Sequence, residues 1–139
     1  MKETIEGTGQ CLCGGIHFTV KDMNNNVDAC HCGMCRKWGG GPLMSVRCGK
    51  GVIFEGEENI SVYNSSEWAE RGFCKRCGSH LFYRLKESNE HEIPVGLFKD
   101  QEHFNFDLQV FVDMKPSFYS FANKTKEMTE AEVIEEFCP

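Results

Sequence analysis

Three of the nine cysteines lie within one six-residue stretch, Cys30-His31-Cys32-Gly33-Met34-Cys35. We call these three cysteines the three-thiol cluster, because a tight turn with this spacing can bring their sulfurs to one metal ion. Structural zinc sites are filled by protein ligands, whereas catalytic zinc sites keep one position open. The cluster therefore predicts a catalytic zinc with three thiolate ligands and an open position. The alternative is a closed site, with His31, Cys48 or a distant histidine as fourth ligand, although the ring of His31 is expected to point away.

Two further cysteine pairs, Cys11-Leu12-Cys13 and Cys74-Lys75-Arg76-Cys77, lie before and after that stretch. Residues two apart on an extended chain point to the same face, and two cysteines separated by two residues often form half of a zinc site. Together the pairs predict a structural zinc held by four thiolates, the four-thiol cluster. The alternatives are a redox-active second pair and buried, unligated cysteines in the first pair. Cys48 and Cys138 are expected to bind no metal.

The donor set of the three-thiol cluster indicates its chemistry. Three thiolates leave bound zinc with a net negative charge, so its water should be less acidic than at three-histidine sites. A soft thiol suits such an ion better, and coordination deprotonates it. The thiolate is then a nucleophile for an electrophile such as an aldehyde, which indicates an enzyme that joins a small thiol to a small aldehyde. If the site is closed, the alternative function is a non-catalytic zinc scaffold that binds a protein partner.

Composition restricts the classes of partner. The net charge of −6 disfavours nucleic acid, whose binding needs clustered lysine and arginine, and it disfavours an anionic membrane. No apolar run approaches the length of a transmembrane helix. Nine cysteines without an export signal are typical of reduced, metal-binding thiols, so we expect a cytoplasmic protein. The length of 139 residues suits one domain spanning 1–139.

Short apolar segments predict the elements that position these cysteines, and most of them have the alternation or the length of strands. We expect strands at 16–20, 43–46, 51–54, 60–63, 81–85, 93–98 and 108–112. The polar segment 64–72 is expected to be a loop, and 36–38 one helical turn. Thr129 and Glu132 have the spacing of a capping box, which predicts a short C-terminal helix. The fold class is therefore all-β with one terminal helix.

Three stretches resemble the glutathione-dependent formaldehyde-activating enzyme family: Gly9-Gln10-Cys11-Leu12-Cys13-Gly14, the segment 30–37 and the segment 71–79. The resemblance extends from about residue 9 to about residue 121 and leaves 122–139 as a C-terminal tail. It implies a zinc-containing β-tent of two or three small antiparallel sheets. It also implies a structural zinc on the four-thiol cluster and a catalytic zinc on the three-thiol cluster. The implied activity is a carbon–sulfur lyase that condenses formaldehyde with glutathione to S-hydroxymethylglutathione.

The implied ligands are two zinc ions, a glutathione-like thiol and a small aldehyde, and the zinc on three thiolates is expected to be lost more easily. Arg36 and Lys37 either bind the carboxylates of the thiol substrate or are solvated surface charges. Two positions depart from the family pattern: Gln109 stands where many members carry histidine, and Phe118 stands where many carry tryptophan. Polar contacts and pocket shape are expected to differ there. The sequence leaves the oligomeric state open.

Overall fold

The computed structural model describes residues 5–137, and strands predominate among them. The elements in chain order are β1 (Ile5–Gln10), β2 (His17–Met23), β3 (Asn26–Cys30), α1 (Gly33–Gly39), β4 (Leu43–Gly49), β5 (Val52–Glu55), β6 (Ile60–Tyr63), β7 (Ala69–Cys74), β8 (His80–Leu85), β9 (His91–Pro94), β10 (Asn105–Val110), β11 (Lys126–Met128) and α2 (Glu130–Phe137). The predicted fold class, mostly β with a short C-terminal helix, is confirmed. No helix among the described residues is both long enough and apolar enough to span a membrane.

Within the described residues, the chain forms two compact units, which we treat separately. The first unit contains 5–25 and 46–103, and the second contains 26–45 and 104–137. The four-thiol cluster belongs to the first unit, and the three-thiol cluster belongs to the second. The boundary at 45–46 falls inside strand β4.

The first unit contains an antiparallel sheet with the strand order β1-β2-β5. The predicted strand at 16–20 overlaps β2, and Phe18 and Val20 are buried on one face of it. The ring of Phe18 packs edge-on against Phe98, with 5.2 Å between ring centroids. Alternation works here because successive side chains of a strand point to opposite faces.

Four further strands of the first unit pair in the order β6-β7-β8-β9, all antiparallel. Strand β7 begins at Ala69, inside the segment 64–72 that was expected to be a loop, so that expectation was wrong for residues 69–72. Its polar residues have partners on β8: Glu70 forms an ion pair with Arg84 directly opposite, and buried Arg71 lies over the ring of Tyr83 at 5.0 Å. Cross-strand pairing of charged side chains compensates for their placement in a sheet.

The second unit contains the strand order β11-β10-β3, and both of its pairings are parallel. The expectation of antiparallel sheets therefore does not extend to this unit. Parallel neighbours require long crossover connections, and here 74 residues separate the end of β3 from the start of β10. Periodicity within a strand does not show which distant strand it pairs with.

Both helices have identifiable ends. Helix α1 begins after Cys32, whose sulfur accepts a hydrogen bond from the backbone N–H of Cys35, and it ends at Gly40 with φ of 87°. Helix α2 has the predicted capping box. The backbone N–H of Glu132 donates to the Thr129 hydroxyl at 3.3 Å, and the Glu132 carboxylate accepts from the backbone N–H of Thr129 at 2.9 Å.

Candidate metal centres

The four-thiol cluster gathers residues from both chain segments of the first unit, 5–25 and 46–103. Cys11 and Cys13 follow β1, Cys74 ends β7, and Cys77 lies on the turn after it. All four sulfurs lie within 4.8 Å of one another. Zinc–sulfur bonds of about 2.3 Å in a tetrahedron place sulfurs about 3.8 Å apart. The measured separations of 3.6 Å for Cys11–Cys13 and 3.8 Å for Cys13–Cys74 fit this geometry.

Two glycines shape the turns of the four-thiol cluster. Gly14 has φ of 76° and donates to the carbonyl of Cys11 at 3.1 Å, while Gly78 has φ of 79° and donates to the carbonyl of Cys74 at 2.7 Å. A side chain is strained in this left-handed region, whereas glycine adopts it freely. Each pair of thiols is therefore presented by a tight, hydrogen-bonded loop.

Hydrogen-bond donors surround the exposed side of the four-thiol cluster. The backbone N–H of Gly15 points at the sulfur of Cys13 at 3.4 Å. The Ser79 hydroxyl accepts from the backbone N–H of Leu12 at 3.0 Å, so its own hydrogen is available to the Cys77 sulfur at 3.2 Å. Hydrogen bonds from the side chain and backbone of Ser79 lower the pKa of Cys77 to about 5. This environment favours thiolate, the form that binds metal.

The three-thiol cluster lies where β3 passes into α1 in the second unit. Cys30 is the last residue of β3, Cys32 caps α1, and Cys35 lies in its first turn. The three sulfurs lie within 4.8 Å of one another, and within the described part of the chain no further histidine, cysteine or carboxylate joins them. The group can therefore offer a metal three soft donors from the protein.

The thiols of this cluster cannot all ionise on their own. Hydrogen bonds from the thiols of Cys30 and Cys35 lower the pKa of Cys32 to about 2. The hydrogen bonds of Cys30 with Cys32 and Cys35 raise the pKa of Cys30. One thiolate is thus stabilised by two neighbouring thiols. Because like charges at this separation repel, three thiolates require a bound cation. The donor chemistry of the cluster fits a zinc ion, as does that of the four-thiol cluster.

His31, between the first two thiols, is completely buried and has both ring nitrogens in hydrogen bonds. Its Nε2 lies 2.8 Å from Oε1 of Gln109, and its Nδ1 lies 2.7 Å from the hydroxyl of Tyr119. Burial lowers the pKa of His31, so the ring is neutral near pH 7. With both nitrogens engaged, His31 does not serve as a fourth ligand, in agreement with the orientation expected from its position.

The loop after β10 carries Tyr119 and is held by one lysine. The Lys115 ammonium donates to the carbonyl of Tyr119 at 2.6 Å and to the Ser120 hydroxyl at 3.1 Å. The Tyr119 ring stacks on His31 at 5.5 Å, whereas neighbouring Phe118 has 83% of its surface exposed. Burial is the largest effect on the pKa of Tyr119 and raises it, so the phenol stays neutral near pH 7.

Sequence reasoning missed the partners of His31. Tyr119 lies 88 residues away along the chain. The sequence singles out Gln109 only as a departure from the family pattern, in which many members carry histidine. A useful signal was His31 itself, since a histidine enclosed by two thiols on a buried strand end needs partners for both nitrogens.

Two cysteines, Cys48 and Cys138, are not part of either cluster in the sequence-based prediction. Cys48 belongs to neither cluster and is completely buried; its thiol donates to the carbonyl of Val46 at 3.3 Å. Burial raises the pKa of Cys48 to about 12, which makes it a poor metal ligand. Cys138 lies outside the described residues.

Three comparisons place the chain among known proteins. The model of the family described as "Glutathione-dependent formaldehyde-activating enzyme" matches residues 6–114. A Schizosaccharomyces pombe protein named an uncharacterized lyase is 40% identical over 130 residues, which are 93% of this chain and 95% of the yeast protein. A crystal structure of a Rhodobacter sphaeroides protein aligns with a TM-score of 0.58 at 22% identity, over 66% of this chain and 87% of that one. The bacterial structure supports the fold alone.

The family match and the similarity to the yeast protein both point to the same family as the two cysteine clusters. The family model covers more than half of the chain, and it includes all seven cysteines of the clusters. The chain belongs to the glutathione-dependent formaldehyde-activating enzyme family.

Proposed function

We propose that this protein is a zinc-dependent carbon–sulfur lyase that condenses a small aldehyde, formaldehyde in the first instance, with the thiol of glutathione or a similar molecule. The three-thiol cluster holds the catalytic zinc, and the four-thiol cluster holds a structural zinc. Family membership and the lyase name of the yeast relative support the reaction class. The observation that carries the proposal is the grouping of three thiols with no fourth protein ligand among residues 5–137.

The reaction conserves all atoms of its two substrates. The sulfur of the thiol forms a bond to the carbonyl carbon, the π electrons move to the oxygen, and that oxygen takes up a proton equivalent to the one the thiol loses. A zinc ion on three thiolates supplies the Lewis acidity that lowers the pKa of a bound thiol. The chain contributes a rigid support: Cys32 caps a helix, and His31 is fixed on both sides of its ring.

Two cationic side chains near the cluster favour a thiol substrate that carries carboxylate groups. The Arg36 side chain donates from Nε to the carbonyl of His31 at 3.0 Å, and Lys37 is exposed on the same helix. Glutathione carries two carboxylates, which form strong hydrogen bonds with such groups. We expect Lys37→Gln to raise KM for glutathione about threefold, which corresponds to roughly 0.6 kcal/mol for an exposed ion pair. The KM for 2-mercaptoethanol, which has no carboxylate, should stay unchanged.

The test is the rate of S-hydroxymethylglutathione formation above the spontaneous rate, followed by exchange NMR on protein that contains two zinc ions. Wild-type protein should accelerate the reaction, and Cys32→Ser should abolish the acceleration. The matched control is Cys48→Ser, which should keep both the activity and the two zinc ions. If the two-zinc protein fails to accelerate adduct formation for every thiol and every aldehyde tested, the proposal is wrong. If Cys48→Ser instead releases one zinc, the second site is closed and a scaffold role is favoured.

A further inference from the structure

Strand β6, with the sequence Ile60-Ser61-Val62-Tyr63, forms one edge of the antiparallel strands of the first unit. On one side it pairs with β7 along its whole length, from Ile60 opposite Cys74 to Tyr63 opposite Arg71. Within residues 5–137, no strand pairs with its other side. The N–H and C=O groups on the open side of such an edge are a template for a further strand.

Four strands lie at sheet edges in the described chain, namely β1, β5, β6 and β11, and they differ in how they are protected. Charged side chains occur on three of them, at Glu6, Glu55, Lys126 and Glu127. Strand β1 is also covered in part, since the backbone N–H of Lys99 donates to it at 2.9 Å. Charges and covering segments are the usual protection against edge pairing. Strand β6 is the one edge of the four without a charged residue.

Large side chains near this edge are left uncovered. Val62 and Tyr63 on the strand are 46% and 66% exposed, and Trp68, in the loop that leads to β7, is 62% exposed. Tyrosine and tryptophan are the residues that most often anchor protein–protein interfaces. The edge therefore offers apolar contact surface in addition to its backbone groups.

The charges at the two ends of β6 suit an antiparallel arrangement of two copies. Exposed Glu57 and Glu58 precede the strand, and Lys75 lies at the same end, because its backbone N–H donates to the residue before β6. Beyond the other end lie Glu67 and Lys86. Antiparallel pairing brings each end of one strand to the opposite end of the other, so acidic and basic side chains can approach each other. Parallel pairing would place Glu57 and Glu58 against the same two residues, and like charges repel.

We propose that β6 is a docking surface for a second copy of this chain, which pairs its own β6 antiparallel with the first about a two-fold axis. The backbone edge accepts only an extended strand, and a second copy supplies one with the same lack of charge. Such an interface is isologous, because both copies use the same surface. The register that pairs all four residues places Ile60 opposite Tyr63 of the second copy and Ser61 opposite Val62. This inference does not depend on the chemistry of either cysteine cluster.

The first test is sedimentation equilibrium of two-zinc protein in a phosphine reductant, so that no disulfide joins the copies. Because the interface is short, we expect weak association, with the average mass of wild type rising toward twice that of the monomer between about 1 and 200 μM. Val62→Lys should weaken the association at least tenfold, since two lysines would meet beside the two-fold axis. The matched control is Ile53→Lys, which places lysine at a 54% exposed position on the edge strand β5 and should associate as wild type does.

The second test locates the interface in wild type and so does not depend on how stable a variant is. Amide hydrogen exchange, followed by NMR, should become slower within 60–63 as the protein concentration rises, whereas exchange within 52–55 on β5 should not change. A monomer at every concentration overturns the inference. A dimer that Val62→Lys leaves intact, or one that protects 52–55 and not 60–63, also overturns it, because the copies would then meet at another surface.

Discussion

Replacing Gln109 with leucine tests whether its amide holds the buried ring of His31 and the hydroxyl of Thr125 as described. Gln109 has only 5% of its surface exposed and His31 has none, so water cannot replace the missing amide. A buried N–H without a partner costs about 1–3 kcal/mol. The Gln109 amide nitrogen also donates to the Thr125 hydroxyl at 3.0 Å, and loss of that bond adds about 1 kcal/mol. The expected loss of stability is therefore about 2–4 kcal/mol, which corresponds to a fall in melting temperature of about 6–12 °C for a chain of this size.

The measurement is thermal unfolding of Gln109→Leu by circular dichroism in zinc-containing buffer. The matched control is Gln101→Leu, because Gln101 also donates from its amide, to the carbonyls of Gly96 and Phe98, but is exposed. Water can replace that amide, so the control should lose less than about 1 kcal/mol. Equal losses in the two variants would show that Gln109 does not hold His31.

Three further predictions concern the clusters, the C-terminal helix and a buried histidine. Cys74→Ser should lose the structural zinc and most of the folded population by circular dichroism, whereas Cys35→Ser should lose one zinc by metal analysis and stay folded; the reverse pattern contradicts the roles proposed for the clusters. Thr129→Ala removes a cap worth about 1 kcal/mol, so amide exchange in α2 should become faster while exchange in β2 does not, and equal exchange rates in α2 would disprove the cap. Burial lowers the pKa of His91, so the unfolded chain binds more protons and stability should fall as the pH drops below about 6.5. His91→Gln should flatten that dependence in urea titrations at pH 7.5 and 5.5, and an unchanged slope would show that His91 is not responsible.

The sequence allowed the local features of the fold to be predicted, because they depend on neighbouring residues. The alternation in β2 and the capping box of Thr129 and Glu132 are of this kind. Strand β7 was missed because Glu70 and Arg71 look solvated until their partners on β8 are known. The parallel pairings of β10 were missed for the same reason, since each depends on a strand far along the chain.

The candidate sites divide in a similar way. Spacing alone separated seven cysteines into a set of four and a set of three, and the structure gathers the same sets. The environment of His31 could not be read from the sequence, because Gln109 and Tyr119 lie 78 and 88 residues away. Long-range hydrogen bonds of single side chains leave no periodic pattern in a sequence.

The central claim is that one zinc is held by four protein sulfurs and the other by three. X-ray absorption at the zinc edge of two-zinc protein, without added thiol, measures the average number of sulfur neighbours. Four sulfurs on one ion and three on the other give an average of 3.5 sulfurs per zinc. A single nitrogen or oxygen neighbour on the second ion adds an average of about 0.5 per zinc. Addition of glutathione should raise the average to about 4, since a thiolate fills the open position. An average of 4 before any thiol is added would contradict the account.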